Sequence, residues 1–248
     1  MKILVTGASG FIGNHVIQHL LKEGHAVIAT SASTDKAATA DWYDKVKYIP
    51  LNLKELDLAV NYYEYFQHPD AMIHLAWEGL PNYQSAFHIE DNLPRHYSFL
   101  KNLIENGLTD LTVTGTCFEY GMQEGCLSED MAIAPANAYA LAKDSLRARL
   151  TTLNSYKLQF KWIRLFYMYG KGQNPNSLFS QLDRAIENGD TVFNMSGGEQ
   201  ERDYLPVEKV GEYIVRIALQ NRVTGVINCC SGRPVKVKDI VEGYLKKK

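Results

Sequence analysis

A phenol, an ammonium group and a hydroxyl occur in this sequence at positions suited to moving a proton at a carbonyl or hydroxyl group. Tyr139 and Lys143 are four residues apart, which places both side chains on one face of a helix. A phenol with a pKa of about 10 is a poor base at neutral pH, and an adjacent ammonium favours the phenolate and lowers that pKa. Tyr139 can then give or take a proton while Thr116 hydrogen-bonds the same substrate oxygen. The Tyr-x-x-x-Lys spacing alone is common by chance and more often structural than catalytic. Whether these residues are catalytic therefore depends on the elements that surround them.

The elements that position these residues alternate between short apolar strands and amphipathic helices. We predict strands at Lys2–Thr6, Ala26–Thr30, 46–51, 71–75, 111–114 and 160–166. We predict helices at Phe11–Lys22, around 97–104, at 138–153 and near 178–188. This alternation predicts an α/β fold with a doubly wound (Rossmann) parallel sheet. Thr116 is expected just past the fifth strand, at the carboxyl edge where ligands of such folds bind.

A glycine-rich turn joins the first strand to the first helix. Gly7, Gly10 and Gly13 are spaced as GxxGxxG. The first glycine permits the tight turn, the second lets the backbone approach a pyrophosphate, and the third lets helix and strand pack closely. The backbone N–H groups and the helix dipole then hold the anion. Because the turn lies between a strand and a helix of a βαβ unit, the sequence predicts a dinucleotide site.

The end of the second strand bears on which dinucleotide binds. An NAD site usually carries an acidic side chain there, on the ribose 2′-OH, but the expected position is Ser31. A small hydroxyl leaves space for a 2′-phosphate, and Lys36 is the nearest cation, so the sequence favours NADP with NAD as the alternative. Asp35 can instead be shifted into the acidic role, and Ser31 and Ser33 can be ordinary loop residues. Asn52, after the third strand, is either an adenine contact or an ordinary polar strand end.

Composition excludes several classes of function. The 248 residues are 46% hydrophobic and 22% charged, as in globular proteins, and 26 basic against 28 acidic side chains give a net charge of −2. No basic field is therefore available for nucleic acid, and no apolar run is long enough to cross a bilayer. The first residues already form a strand, and the four cysteines show no metal-ligand spacing. We expect a cytoplasmic protein without a metal, ending in a frayed, solvated Lys246-Lys247-Lys248.

The regular alternation of predicted strands and helices ends after Tyr169. The segment from Gly170 to Asn176 has turn chemistry, and the elements beyond it are shorter and mixed. We therefore predict that residues 1–169 form mainly an NAD(P)-binding Rossmann domain. Residues 170–248 are expected to form mainly a small, interleaved substrate-binding region, from which one strand or helix can return to the core.

Several motifs in order along the whole chain resemble the extended short-chain dehydrogenase/reductase group, specifically the NAD-dependent epimerase/dehydratase family of nucleotide-sugar enzymes. The motifs are the glycine turn, His74-Leu75-Ala76, Thr116, Tyr139 to Lys143, Arg164 to Gly170, Arg202 to Val207, and Asn228 with Gly232. Each motif alone is weak, but their joint occurrence is specific.

The resemblance implies roles for individual residues. Thr116, Tyr139 and Lys143 are the implied catalytic trio, with Lys143 also holding the nicotinamide ribose. The implied cofactor-binding residues are Gly7, Ser9, Gly10, Phe11, Ile12, Gly13, Ser31, Asn52, Leu53, Leu75, Ala76, Tyr139, Lys143 and Phe166. The implied substrate-binding residues are Trp77, Asn92, Cys117, Phe118, Tyr167 and Arg202, with Glu119 in the segment that usually lines the sugar pocket.

The sequence departs from the family pattern at a few positions. Gly115 stands where the first serine of a Ser-Ser pair is common, and Thr116 replaces the second. Tyr167 stands where an asparagine is frequent, so one polar substrate contact is lost or replaced. Trp77 replaces a small residue and puts a bulky ring beside the pocket.

These features lead to one preferred function and two alternatives. We expect an NADPH-dependent reductase of a 4-keto-6-deoxy nucleotide sugar, with Tyr139 as proton donor, acting in polysaccharide precursor synthesis as a homodimer. The nearest alternative is an epimerase that keeps NAD⁺ bound and returns the hydride to the opposite face. A non-catalytic dinucleotide-binding regulatory protein is the third hypothesis, since a fold does not fix a function.

Overall fold

The computed structural model describes residues 1–153 and 157–246, so the last two lysines of the predicted solvated end lie outside the described residues. Its strands are β1 Lys2–Thr6, β2 Ala26–Thr30, β3 Lys47–Tyr48, β4 Ala71–His74, β5 Asp110–Thr116, β6 Gln159–Leu165, β7 Tyr167–Tyr169, β8 Glu201–Arg202, β9 Tyr204–Pro206, β10 Gly225–Cys229 and β11 Val235–Lys236. Its helices are α1 Phe11–Lys22, α2 Thr34–Ala38, α3 Tyr62–Tyr65, α4 Leu93–Glu105, α5 Ala138–Thr151, α6 Leu178–Glu187, α7 Val207–Leu219 and α8 Val237–Leu245.

Within the described residues, the main sheet has seven strands in the order β10-β6-β5-β4-β1-β2-β3. Every neighbouring pair in it is parallel, and the order reverses direction on either side of β1. The predicted doubly wound Rossmann sheet is therefore confirmed. Strands β1, β2, β4, β5 and β6 are buried almost throughout because helices cover both faces of such a sheet. The reversal next to β1 creates the crevice in which doubly wound folds bind ligands.

The chain divides into two compact units. The first comprises Met1–Leu165 and Gly211–Cys229 and contains the seven-stranded sheet. The second comprises Phe166–Val210 and Cys230–Lys248. It contains the parallel pair β7 and β9, the antiparallel pair β8 and β11, and a small core of Leu182, Val237 and Val241.

The core of the first unit lies between the sheet and its helices. Leu4, Leu111 and Trp162 on the strands pack in one buried cluster with Phe99 of α4 and Leu146 of α5. The polar segment that precedes α5 ends at Asn137, whose side chain accepts a hydrogen bond from the Ala140 N–H and so begins that helix. Helix α5 is consequently fixed at both its capped end and its apolar face.

Two predicted boundaries differ in ways that affect the site. Strand β5 continues through Thr116, which pairs with Leu165, so Thr116 is the last strand residue and does not follow the strand. Strand β3 has only two residues, not the predicted six, because it lies at the sheet edge with a partner on one side only. The side chains of Ile49 and Leu51, beyond its end, still pack against the core.

The described residues contain no helix long and apolar enough to cross a membrane.

Candidate functional site

The glycine turn opens into a cavity of about 340 Å³ at the carboxyl ends of β1 and β2. Gly7 has a φ of +66°, a conformation that glycine adopts without strain. A Cβ at Gly13 would collide with the carbonyl oxygens of Gly7 and Ala8, so close approach of α1 to the turn requires glycine. The cavity is lined by Thr6, Gly7, Ser9, Gly10, Thr30, Ser31, Ala32, Ser33, Lys36, Leu51, Leu53, Lys54, Leu75, Ala76, Trp77, Glu78, Asn92, Arg95 and His96.

Hydroxyl groups surround the end of β2. The Ser9 hydroxyl donates to the Ser31 Oγ over 3.0 Å, and the Tyr48 phenol donates to the Ser31 carbonyl over 3.0 Å. Lys36 contributes a cation to the same part of the cavity lining. Asp35, which the sequence left open as a shifted acidic group, is exposed in α2 and does not line the cavity. This lining suits a phosphorylated or hydroxylated sugar.

The other residues assigned to the cofactor have varied positions. Leu53 lines the cavity, whereas the Asn52 side chain caps the turn Leu53–Glu55 and donates to the Glu55 carboxylate. Phe11 and Ile12 begin α1 without lining the cavity. Phe166 is the first residue of the second unit. For Asn52 the structure therefore displays the local capping role that its residue type favours.

Strand β5 and helix α5 bring the three reactive side chains together. The Thr116 hydroxyl and the Tyr139 phenol form a hydrogen bond. The Lys143 ammonium donates to the Thr114 carbonyl over 2.8 Å and lies 4.1 Å from the centre of the Trp77 ring. All three side chains are buried, with Lys143 only 2% exposed. The geometry therefore joins the hydroxyl and the phenol directly and holds the ammonium one helical turn away.

Burial sets the protonation of this group. Desolvation lowers the pKa of Lys143 to about 7, with the negative charge of Glu119 opposing the shift. Burial raises the pKa of the Tyr139 phenol, and the Glu119 charge raises it further. The expected lowering of the Tyr139 pKa relied on the positive nicotinamide ring as well as on the ammonium, and the protein side chains alone raise that pKa. Tyr139 holds its proton, which suits a proton donor.

Aromatic rings enclose Tyr139. Its ring centre lies 5.4 Å from His88, 5.6 Å from Tyr83 and 6.1 Å from Trp77. The Trp77 indole N–H donates to His88 Nδ1 over 3.1 Å, and the other His88 nitrogen lies 2.9 Å from the Asn82 carbonyl. Because a carbonyl only accepts, that second nitrogen carries the histidine proton. Trp77 is thereby held beside both Tyr139 and Lys143.

Two buried histidines hydrogen-bond each other at the cavity, and one of them, His96, lines it. His74 at the end of β4 hydrogen-bonds Thr6 over 2.8 Å through Nδ1 and His96 over 2.7 Å through Nε2. Burial lowers the pKa of His74 to about 3 and that of His96 well below its usual value. Both rings are therefore neutral, and their hydrogen bonds connect β1, β4 and α4 at the cavity wall.

A buried carboxylate lies directly under Thr116. Glu119 is fully buried and accepts hydrogen bonds from the Thr116 backbone N–H at 2.9 Å and the Arg164 Nε at 2.8 Å. The Trp162 indole N–H donates to it at 3.0 Å. A Cβ at Gly115 would collide with Trp162 and Glu119, so this pair occupies the space of the usual serine side chain. Glu119 was expected in a segment facing the sugar, but its carboxylate points into the core.

The residues assigned to the substrate fall in both units. In the first, Asn92 is buried and donates to the Glu78 carbonyl, while Phe118 lines a second cavity of about 430 Å³. Cys117 is half-buried in the turn that follows Thr116.

In the second unit, the Arg202 guanidinium lies 5.5 Å from the centre of the Tyr167 ring. One of its terminal nitrogens donates to the Glu201 carbonyl over 2.7 Å. The Asp203 carboxylate accepts instead from the backbone N–H groups of Ser231 and Arg233. Arg202 and Asp203, neighbours in sequence, thus have separate partners in these contacts.

Sequence reasoning did not assign His88, His96 or the buried role of Glu119. One signal for Glu119 was present, because Thr116 and Glu119 have the Thr-x-x-Glu spacing of a capping box, and the structure contains that box. No local signal identifies His88 or His96, since their partners lie on other elements. Among the described residues, no group of three histidine, cysteine or carboxylate side chains is arranged to hold a metal.

The cavity fits a dinucleotide. Its glycine turn has no side chains in the way of a pyrophosphate, and the lining continues from Ser31 to Trp77 and His96, near Lys143. Gly7, Gly10 and the start of α1 would hold the pyrophosphate, and the end of β2 would hold the adenosine ribose.

Comparisons with known proteins agree with this geometry. An Aggregatibacter actinomycetemcomitans protein named dTDP-6-deoxy-L-talose 4-dehydrogenase (NAD(+)) is 29% identical over 252 residues, covering 99% of this chain and 90% of that protein. A Rhizobium meliloti (strain 1021) protein named "Probable UDP-glucuronate 4-epimerase" is 26% identical over 283 residues, covering 99% of this chain and 82% of that protein.

A solved structure shares the fold. The crystal structure of UDP-glucuronic acid 4-epimerase from Bacillus cereus in complex with NAD has a TM-score of 0.84 at 24% identity, covering 100% of this chain and 84% of that chain. The sequence model of one family matches residues 3–230, which is most of the chain, and the resemblance predicted from the motifs is thereby confirmed. The protein belongs to the NAD dependent epimerase/dehydratase family.

Proposed function

We propose that the protein is an NADPH-dependent reductase acting at C4 of a 4-keto-6-deoxy nucleotide sugar. The observation that carries the proposal is the hydrogen bond between Thr116 and Tyr139 at the carboxyl end of β5, with Lys143 on the same helix as Tyr139. Both relatives described above have names that place their reactions at position 4 of a sugar. The relative that this chain covers more fully carries a 6-deoxy sugar in its name.

The bound cofactor would supply a hydride to C4, and this chain would supply the proton. Tyr139 donates its phenolic proton to the C4 oxygen, so the carbonyl becomes an alcohol and the tyrosine becomes a phenolate. Thr116 donates a hydrogen bond to the same oxygen and fixes its position. The Lys143 ammonium, which would also hold the nicotinamide ribose, stabilises the phenolate until solvent returns the proton. The burial of all three side chains keeps water from competing with the substrate.

The cofactor preference rests on the end of β2. Ser9, Ser31 and Ser33 offer hydroxyls and Lys36 offers a positive charge, which together suit a 2′-phosphate. The name of one relative specifies NAD(+), so a direct comparison of NADPH and NADH is the relevant measurement.

The substrate assignments also remain part of the proposal. Trp77, Asn92, Cys117 and Phe118 would contact the sugar from the first unit. Tyr167 and Arg202 would also contact the substrate, with the Arg202 guanidinium binding the diphosphate through paired hydrogen bonds.

Tyr139→Phe tests the proposed proton donor. The variant keeps the ring but removes the phenolic proton, so we expect kcat for the 4-keto sugar to fall by about 100-fold or more. The assay follows loss of NADPH absorbance with a nucleotide-activated 4-keto-6-deoxyhexose. Tyr62→Phe is the matched control, because Tyr62 is a buried tyrosine of α3 whose hydroxyl accepts from the Asp57 N–H away from the cavity. Equal kcat values for the two variants would reject Tyr139 as donor.

A C4 epimerase is the second candidate, favoured by the name of the relative from Rhizobium meliloti. An epimerase returns the hydride to the sugar and retains its cofactor. Ultraviolet absorbance of the purified protein distinguishes the two, since copurified nicotinamide supports the epimerase and an empty protein that binds NADPH more tightly than NADH supports the reductase. A protein that binds dinucleotide without turnover on any nucleotide sugar would support the regulatory alternative.

We further propose that the enzyme acts in the cytoplasm as a homodimer that supplies precursors for polysaccharide synthesis. Light scattering coupled to size-exclusion chromatography tests the dimer, for which a monomeric mass would be contradictory.

A further inference from the structure

The end of β5 contains a buried ionic network that the proposed chemistry does not itself use. Glu119 is surrounded by three hydrogen-bond donors, namely the Thr116 backbone N–H, the Trp162 indole and the Arg164 guanidinium. Burial of a carboxylate in apolar surroundings is costly, and it raises the pKa of Glu119 against the effect of these donors. Such a group is tolerated only because each of its oxygens has charged or polar partners.

The Glu119 carboxylate connects this network to the backbone that carries Thr116. The Glu119 Oε1 accepts from the Thr116 N–H, and the Thr116 Oγ1 accepts from the Phe118 N–H over 3.2 Å. Trp162 and Arg164 lie on β6, the neighbour of β5 in the sheet. Their side chains donate hydrogen bonds to the Glu119 carboxylate and hold it next to β6. The Arg164 guanidinium also lies 4.4 Å from the centre of the Tyr120 ring.

We infer that Glu119, held by Arg164 and Trp162, is a positioning residue that sets the orientation of the Thr116 hydroxyl toward Tyr139 and the substrate oxygen. The inference rests on the proposed function, in which Thr116 orients that oxygen. Three features support it: the direct hydrogen bond to the Thr116 N–H, the exclusion of any side chain at Gly115, and full burial of the carboxylate. Glu119 does not line the cofactor cavity, so its effect is expected on turnover and not on cofactor binding.

A pair of double variants isolates the hydrogen bond to Thr116. Glu119→Gln with Arg164→Met keeps an oxygen acceptor and leaves no unpaired charge. Glu119→Leu with Arg164→Met is equally uncharged but has no acceptor. We expect kcat to be about tenfold or more lower in the leucine pair than in the glutamine pair, with equal affinity for NADPH, because small misplacements of an orienting group are costly.

The same strands provide a matched control. Lys161 of β6 forms an ion pair with Asp110 at the opposite end of β5, with a fully buried ammonium, a partly exposed carboxylate and contacts of 2.8 and 3.0 Å. Asp110→Asn and Asp110→Leu, each with Lys161→Met, repeat the two chemical changes away from the cavity. We expect this pair to differ in thermal stability but to have equal kcat values. Equal kcat values in the two Glu119 variants, or a matching loss in the Asp110 variants, would overturn the inference.

Two further measurements keep the inference testable. Should the leucine variant not fold, Glu119→Asp decides the question, because it retains the charge but withdraws the oxygen by one methylene. Its kcat should fall while its NADPH affinity is unchanged, and an unchanged kcat would be contradictory. Amide hydrogen exchange at Thr116 needs no substrate and should be faster in Glu119→Asp than in Asp110→Asn.

A wild-type protein inactive on every nucleotide sugar would reject the proposed function, and the exchange result alone would then decide this inference.

Discussion

At the scale of single residues, burial determines the protonation of Tyr139 and Lys143 more than their closeness to each other does. Lys143 has a carbonyl and an aromatic ring as its contacts, and no carboxylate touches it among the described residues. Burial desolvates its ammonium, and this lowers the pKa of Lys143 to about 7 against the opposing effect of the Glu119 charge. Tyr139 keeps its proton over the same pH range because burial raises the pKa of the phenol. The chain thus presents a protonated phenol beside a lysine that titrates near neutrality.

The buried lysine predicts a specific pH dependence of stability. Since its pKa in the folded protein is lower than in the unfolded chain, the unfolded state binds more protons between about pH 7 and pH 10.5. The free energy of unfolding of the wild type should therefore rise with pH in that window, relative to Lys143→Met, with a slope approaching about 1.4 kcal/mol per pH unit. Urea unfolding of both proteins between pH 7 and pH 9.5 measures this difference. Parallel pH profiles would show that Lys143 is not desolvated.

At the scale of elements, the cavity and the reactive side chain Thr116 lie at the carboxyl ends of strands. The ends of β1 and β2 form the dinucleotide cavity, while the end of β5 carries Thr116. The hydroxyl cluster around Ser31 depends on β3 as well, because Tyr48 lies on that short edge strand. The proposed cofactor preference is consequently a property of two neighbouring strand ends.

Ser31→Asp tests this assignment. An added carboxylate at the end of β2 repels a 2′-phosphate and accepts from a free ribose hydroxyl. We expect kcat/KM for NADPH to fall by about tenfold or more, while that for NADH is unchanged or higher. Steady-state kinetics with both cofactors measures the effect, with Ala38→Asp, at an exposed position of α2 outside the cavity lining, as the control for added charge nearby. A wild-type preference for NADH, or equal losses for both cofactors, would contradict the proposed role of Ser31.

The sequence predicted these elements well where the physical signal is local. The buried parallel strands, the amphipathic helices and the glycine turn follow from periodicity and from the backbone needs of a tight turn. The interior partners were harder to predict. His74 and His96 are 22 residues apart, and Glu119 and Arg164 are 45 apart, so only the folded sheet brings each pair together. The inward direction of Glu119 also required knowing that Gly115 leaves space beside Thr116, which Glu119 and Trp162 fill.

At the scale of the whole molecule, one compact unit contains both the cavity and the reactive group. The chain leaves that unit after Leu165, returns at Gly211 and adds β10 to the sheet beside β6. The second unit, with Tyr167 and Arg202, is built from short strand pairs and two helices. Such an interleaved path cannot be deduced from local periodicity, because each segment of the second unit is too short to show its partner.

The destination of the hydride tests the central claim most directly. The wild type should be given NADPH carrying deuterium at the transferred position, together with a nucleotide-activated 4-keto-6-deoxyhexose, and the product examined by NMR and mass spectrometry. We predict one deuterium on C4 of a new secondary alcohol, with one oxidised cofactor formed per product. Tyr139→Phe should give almost none. Deuterium at another carbon, or a 4-keto sugar left unreduced with no oxidised cofactor formed, would contradict reduction at C4.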